Sequence, residues 1–508
     1  MKRHRESIVR YAPIALALIV AACVAYLAAW WGATNQDEGW YLYASRLVGE
    51  GRLPYRDFFF TQGPVLPIIY SALPIHGLLS GRVATLCFSL AATLMSIAFA
   101  RRLVAPERRG AVSLAVFALL ACNLYHVYFT TIPKTYAVGA LFVMTGFLLL
   151  SRGWNFLAAV SFAFASGTRI SLVLILGVVG VGLMVTRFRS LQWVRFGVGG
   201  VLGLFLVYGL FALNPPSLKG LLAAQAYHAG RGGFDIFFAA GSVSRLARGY
   251  IALGAVLFAA GLMHVRAPAG GEPGGGSQTA ALKWMAGLSF AAVFLLQMSA
   301  PFPYDDYEVP IMPIVAVLAA VWFVDGAERV CRPAARWFPV LASGLCAFAS
   351  PMIQDWMTSG QDRFWSLKRE RSELAQLRDV ARRLEGMDPG GKMLFTQDLY
   401  LAVEMGRKVP EGLEMGPFSY FPEMSTEEAE SLHVMNGERM MKLIGSAPCE
   451  LAAFSGYGFA IEVPKGARTP VETVRSFEEA LQTKYDRIGL ESDFGQNHTL
   501  LRIFRRKP

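Results

Sequence analysis

Cysteine is scarce: the chain has six in 508 residues, and only Cys449 lies beyond residue 353. A lone cysteine excludes an intramolecular disulfide framework in that part of the chain, and no Cys or His spacing there suits a metal-ligand set. Charge is thin, at 17% of residues, and little of it falls deep inside the apolar runs, where ion-coupled transport would need it. Glycine is plentiful, but never in a Walker-type loop or a dinucleotide-binding fingerprint, so no nucleotide-phosphate cradle is present. No nucleophilic Ser or Cys is spaced with a partner base, and no internal repeat is strong enough to suggest an inverted-repeat transporter.

Hydrophobic residues make up 54% of the chain, and mean hydropathy is +0.39. Apolar runs of helical length recur through the first two thirds, the mark of a polytopic α-helical membrane protein. The formal charge of +11 does not call for nucleic acid, because many basic residues cluster briefly between apolar runs, as topology signals do. Lys2, Arg3, Arg5 and Arg10 precede an apolar run without a convincing cleavage site, so the first span is read as uncleaved and the N-terminus as cytoplasmic.

About eleven spans follow from the length and charge rules. They are Pro13 to Trp31, Val83 to Ala100, Ala111 to Phe129, Thr135 to Leu150, Trp154 to Gly167, Ile170 to Val185, Trp193 to Leu213, Tyr250 to His264, Leu282 to Met298, Val309 to Val324 and Trp337 to Pro351. Leu66 to Leu79 is apolar but short and holds Pro67, Pro74 and His76. A full crossing there would put Arg101 and Arg102 outside, so it is read as a re-entrant or juxtamembrane helix.

Residues 1–352 thus form a membrane domain, with a first outer loop over 34–82, and 353–508 form a small extracytoplasmic α/β domain. In the tail, helices are expected over Asp362 to Leu384, after a capping box at Ser425 and Glu428, and over Val471 to Lys484. Strands are expected at Lys392 to Thr396 and Glu450 to Ser455, with a hairpin turning at Gly495-Gln496-Asn497 into Thr499 to Phe504. The Gly/Pro-rich stretch from Ala267 to Thr279 reads as a cytoplasmic linker. The cell membrane of a bacterial-type cell is the expected location.

The first outer loop is the most informative stretch. Asp37 and Glu38 follow the first span closely enough to lie at headgroup level. Trp40, Tyr43, Ala44, Leu47 and Val48 then mark one face of a short interfacial helix, which Gly49 and Gly51 stop. A carboxylate at this level can act as a general base once burial moves its pKa, and two adjacent acids point in different directions, so one of them reaches the reacting centre. Both also suit the N-terminus of the helix that follows. Arg82, Lys134, Arg169 and Arg231 sit at or beside outer span ends, placed either to clamp a phosphate or to snorkel. A second acidic turn, Pro303-Tyr304-Asp305-Asp306-Tyr307-Glu308, is placed to bind substrate hydroxyls or to cap a helix.

One span, an Asp-Glu pair at its outer end, Ala44, Leu47, Gly49, Gly51, Pro54, Tyr55 and Asp57, a Gly63-Pro64 entry and Arg82 together resemble GT-C glycosyltransferases. The types meant are the protein O-mannosyltransferases and lipid A aminoarabinose transferases. The likeness is sharpest over residues 34 to 103 and has weak support from Leu413 to Phe418 in the tail. It implies a membrane glycosyltransferase that moves a sugar, with inversion, from a polyprenyl-phosphate donor to an extracytoplasmic glycan, lipid or protein acceptor. The motif match implies Asp37 as catalytic base with Glu38 beside it. Tyr55, Asp57, Arg82, Lys134, Arg169, Tyr304, Asp305 and Asp306 are then expected on the substrates. One departure stands out: relatives place an acid in the outer loop between the third and fourth spans, where this chain has Lys134. No cofactor is expected, and a divalent metal, though compatible with the chemistry, has no ligand spacing to support it. A flippase or transporter, and a non-enzymatic assembly protein, remain the competing readings.

Overall fold

The computed structural model describes residues 2–187, 190–229, 233–266, 277–330, 334–349, 371–456, 469–496 and 498–508. Arg231, Cys331, the linker core at 267–276 and the expected helix start at 362–370 lie outside these residues.

The chain is mostly helical. Its elements run α1 (Lys2–Tyr26), α2 (Gln36–Gly49), α3 (Val65–Ser71), α4 (Leu78–Ala100), α5 (Arg109–Ala121), α6 (Leu124–Phe129), α7 (Thr135–Ser151) and α8 (Asn155–Ser166). Then come α9 (Val173–Arg187), α10 (Gln192–Ala212), α11 (Pro215–Ala229), α12 (Ile236–Gly249), α13 (Ile251–Arg266), α14 (Ser277–Met298), α15 (Met312–Val330) and α16 (Ala334–Ala349). Among the described residues, Tyr11–Trp31, Leu78–Ala100, Gln192–Ala212 and Gln278–Met298 are long and apolar enough to cross a membrane, while Thr135–Ser151, Asn155–Ser166, Ile170–Thr186 and Met312–Ala327 are apolar but shorter. α12 and α13 meet at a 78° bend. The run from Ala111 to Phe129, read as one span, is broken into α5 and α6, because Asn123 leaves the helix and accepts the His126 N–H at 2.9 Å as a new N-cap. The stretch from Leu66 to Leu79 holds only the seven-residue α3 and a turn into α4.

The tail carries α17 (Glu373–Met387), α18 (Leu399–Glu404), α19 (Thr426–Ser431), α20 (Gly437–Ser446) and α21 (Val471–Lys484). Its antiparallel sheet, in the order β1-β3-β2, joins β1 (Leu451–Phe454), β2 (Tyr485–Phe494) and β3 (Thr499–Arg506), with Ala453 opposite Ile503. The segment from Lys392 to Thr396 does not become a strand. It makes isolated bridges at Met393 and Phe395, the latter beside β1.

Two apolar cores result. One fills the helical bundle from Ala17 to Ala347. The other joins Trp40, Tyr43 and Leu47 of α2 and Phe58 to Phe60 of the loop to Leu374, Leu401, Phe454 and Ile503 of the tail. α2 is therefore buried on nearly every face, Ser45 included, where its sequence period suggested a helix with one face in the headgroup layer. Gly39 makes this close approach workable: a Cβ there would stand 2.2 Å from the backbone nitrogen of Tyr400.

Candidate active site

α1 ends in a π-turn over Leu27–Trp31, and helix C-termini leave carbonyls without intrahelical donors. Arg82, one turn into α4, takes them. Its Nη1 donates to the carbonyls of Ala29 and Gly32, each at 3.0 Å, and Nη2 to Ala33 at 3.1 Å. The remaining donors form a fork on Glu38, with Nε on Oε2 and Nη2 on Oε1, both at 2.7 Å. All five guanidinium N–H groups are thus used, and both side chains are fully buried. Glu38 also accepts the Asn35 N–H at 2.9 Å while Asn35 accepts that of Asp37, which makes a capping box at the start of α2.

This lock leaves Asp37 turned the other way. Its side chain is 29% exposed, with Oδ2 2.9 Å from Lys134 Nζ and Oδ1 accepting the Trp40 indole N–H at 3.1 Å. Lys134 Nζ also stands 3.1 Å from Asp306 Oδ2, which in turn accepts the Tyr136 hydroxyl at 2.8 Å. Burial alone would lower the Lys134 pKa. The carboxylate of Asp37, with Tyr136 and Asp306, outweighs burial and holds the ammonium well above the ordinary lysine range. Asp305, next in the turn Asp305–Glu308, accepts the Tyr125 hydroxyl at 2.6 Å and Arg245 Nε at 2.9 Å.

Arg169 completes the group. Its guanidinium lies 4.5 Å from the ring centre of Tyr307 and 5.2 Å from that of Tyr136, a cation held by aromatic faces. Its backbone is set by the Gly-Pro entry: Val65 N–H donates to the Gly167 carbonyl at 3.0 Å, and Gly63 packs so closely on Gly167 that a Cβ would fall 2.1 Å from that carbonyl. Glu308 is buried beside this cation, and burial, only partly opposed by Arg169, pushes its carboxyl up to about 9.

Asp37, Lys134, Asp305, Asp306 and Arg169 therefore converge, with Tyr304 packed on Tyr307 at 5.6 Å. Arg82 and Glu38 lie behind them as a closed pair. Among the described residues, neither Tyr55 nor Asp57 bonds to this group: the Tyr55 hydroxyl donates to the Gln62 carbonyl, and Asp57 accepts from Arg56 and from the Leu53 N–H. The sequence singles out Glu308 only as the close of the acidic turn, and it passes over Tyr125, Arg245 and Tyr136, although Tyr136 is two residues from Lys134. Among the described residues, no three His, Cys, Asp or Glu side chains stand together as a metal set.

The tail also reaches this site. Thr34, three residues before Asp37, donates its N–H and hydroxyl to Glu373 Oε2 at 2.6 and 2.7 Å. Gln36 N–H donates to Gln496 and its side chain to the Gln397 carbonyl.

No family model matches the chain, and no curated protein does. Among solved structures, it is similar to ArnT from Cupriavidus metallidurans bound to undecaprenyl phosphate, at 13% identity and a TM-score of 0.59, covering 97% of this chain and 98% of that one. The apo state of the same protein aligns at 14% identity and a TM-score of 0.60, covering 96% and 97%. At this identity the likeness shows a shared fold over nearly the whole of both chains, the GT-C architecture expected from the first outer loop.

Proposed function

We propose that the protein is an integral membrane glycosyltransferase that moves a sugar, with inversion, from a polyprenyl-phosphate donor to an extracytoplasmic acceptor, with Asp37 as general base. The observation that carries this reading is the division of labour between adjacent acids: Glu38 is consumed by Arg82, while Asp37 is the partly exposed member, set among Lys134, Asp306 and Arg169. The fold shared with a protein crystallised with undecaprenyl phosphate supports the donor class. The charges gather at helix ends rather than along helix interiors, which favours chemistry at the interface over a transport path.

In the reaction, Asp37 takes the acceptor hydroxyl proton as the new bond from that oxygen to the anomeric carbon forms and the bond to the lipid phosphate breaks on the opposite face. The electron pair leaves with the phosphate. Arg169 suits its stabilisation: no hydrogen bond or ion pair engages its guanidinium among the described residues, so its planar donors face no competitor. Lys134 is the second cation within reach. Arg82 has no donor left and acts by positioning, holding Glu38 and the end of the first span.

The finer topology belongs to the same proposal: about eleven spans, a cytoplasmic N-terminus and an extracytoplasmic tail. Purified protein assayed with a panel of polyprenyl-phosphate sugars tests the function. Asp37→Asn should lower transfer by roughly 10² to 10⁴ with its melting temperature kept. Full activity in that variant, or no turnover of any lipid-phosphate sugar by the parent, would sink the proposal.

A further inference from the structure

Apart from the Asp37 site, a groove of about 640 Å³ opens between the α3–α4 turn, the outer end of α4 and the tail, a volume in the range of ligand pockets. Its floor is Val83, Ala84, Cys87 and Phe88 of α4, its wall is the turn from Leu73 to Leu79, and Arg378 and Glu404 of the tail close its outer rim. The floor does not end there. Val83, Cys87, Leu90 and Leu94 follow one another at helical spacing, and all four are exposed, Val83 by 49%, Leu90 by 45% and Leu94 by 58%. A stripe this apolar and open on a helix long enough to cross a membrane faces acyl chains. A chain lying along it runs up into the groove.

At the rim it meets one charge of each sign. Arg378 Nε stands 3.0 Å from Glu404 Oε1, and its guanidinium lies 5.5 Å from the Trp30 ring centre. Glu404 Oε2 is fixed by the Leu78 N–H at 2.9 Å, so the carboxylate is held at the mouth whether or not Arg378 turns away. Each carboxylate oxygen retains a second acceptor direction, and Arg378 retains donors beyond Nε. Apolar floor, continuity with the lipid-facing stripe and a rim of balanced charge fit one occupant. We infer that this groove is a binding site for a zwitterionic glycerophospholipid of the surrounding bilayer, one acyl chain lying on Val83 and Cys87, its phosphate on Arg378 and its ammonium on Glu404.

The site differs from the proposed donor site, because Asp37 and Glu38 lie on the side of α4 towards which Arg82 points. The full-length protein in nanodiscs, given phosphatidylethanolamine or phosphatidylglycerol with a photoreactive acyl chain, tests it by mapping the cross-linked peptides. Phosphatidylethanolamine should label Leu79 to Phe88 several-fold more than phosphatidylglycerol does. Ala84→Trp, which fills the floor, should remove that label while sparing Leu90 and Leu94, and Arg378→Gln should erase the headgroup preference. If Ala84→Trp fails to accumulate, Cys87→Phe closes the same floor. Labelling that is uniform along the stripe and indifferent to these substitutions, or a preference for phosphatidylglycerol, overturns the inference.

Discussion

At the scale of the residue, two adjacent acids have opposite fates, and stability separates them. Glu38→Gln removes one partner of a fully buried pair and leaves Arg82 charged in a dry site, which costs roughly 3–5 kcal/mol when such a pair is broken. Asp37→Asn keeps shape and an acceptor at a partly exposed position and leaves the buried Lys134 ammonium paired with Asp306. Thermal melting of the purified variants should therefore drop sharply for Glu38→Gln and little for Asp37→Asn, and equal melting would remove the structural role given to Glu38. Glu308 adds a pH signature. Its carboxyl is raised from 4.5 to about 9, so between these values the unfolded chain releases a proton that the folded chain keeps. Stability then falls as pH rises through that window and levels off above it. Glu308→Gln cannot ionise in either state, so its melting temperature relative to the parent should gain steadily from about pH 5 to about pH 9. A gap that does not change with pH contradicts the assignment.

At the scale of the element, α2 is the piece through which the loop and the tail share one core, and Gly39 is where the tail touches it most closely. An Ala there would place its Cβ 2.2 Å from the Tyr400 nitrogen and 2.8 Å from the Leu399 carbonyl carbon, backbone that cannot rotate away. Gly39→Ala should loosen α18 from α2, exposing the tail to limited proteolysis and lowering transfer, whereas Gly110→Ala, where a Cβ meets open space, should do neither. Identical digestion of the two variants would show that the contact is not needed. Much of this element was legible beforehand: the acid pair, the helix and the glycines that stop it, and further along the helix over Val471 to Lys484 and the final hairpin, are written in local spacing. What was not legible is pairing at a distance. Arg82 reaches Glu38 across 44 residues and orphan carbonyls of a π-turn, and Lys134 meets Asp37 only because α7 and α2 start at the same place. The expected interfacial face failed for a related reason: periodicity records which side is apolar, but not that the tail covers the other.

At the scale of the whole molecule, the tail and the Asp37 site share one side of the membrane, whichever side that is. Thr34 and Gln36 bond directly to Glu373, Gln397 and Gln496, and the loop and the tail have a common apolar core. A tail lying across the membrane from Asp37 is therefore excluded by covalent and packing continuity, and one measurement of sidedness decides both. In the topology we propose, one span lies between the cytoplasm and Asp37, with tail and site outside and the turn after α4, with Arg101 and Arg102, inside. Both test positions are exposed: Arg102 in that turn and Lys507 at the end of the tail. With the native cysteines replaced, Lys507→Cys should react with a membrane-impermeant maleimide on intact cells, and Arg102→Cys only after permeabilisation. The reverse pattern would turn the protein over and carry Asp37 into the cytoplasm with the tail. Labelling of both from outside would break the parity that makes α3 a short juxtamembrane helix, because a second crossing between Asp37 and α4 is what that result requires.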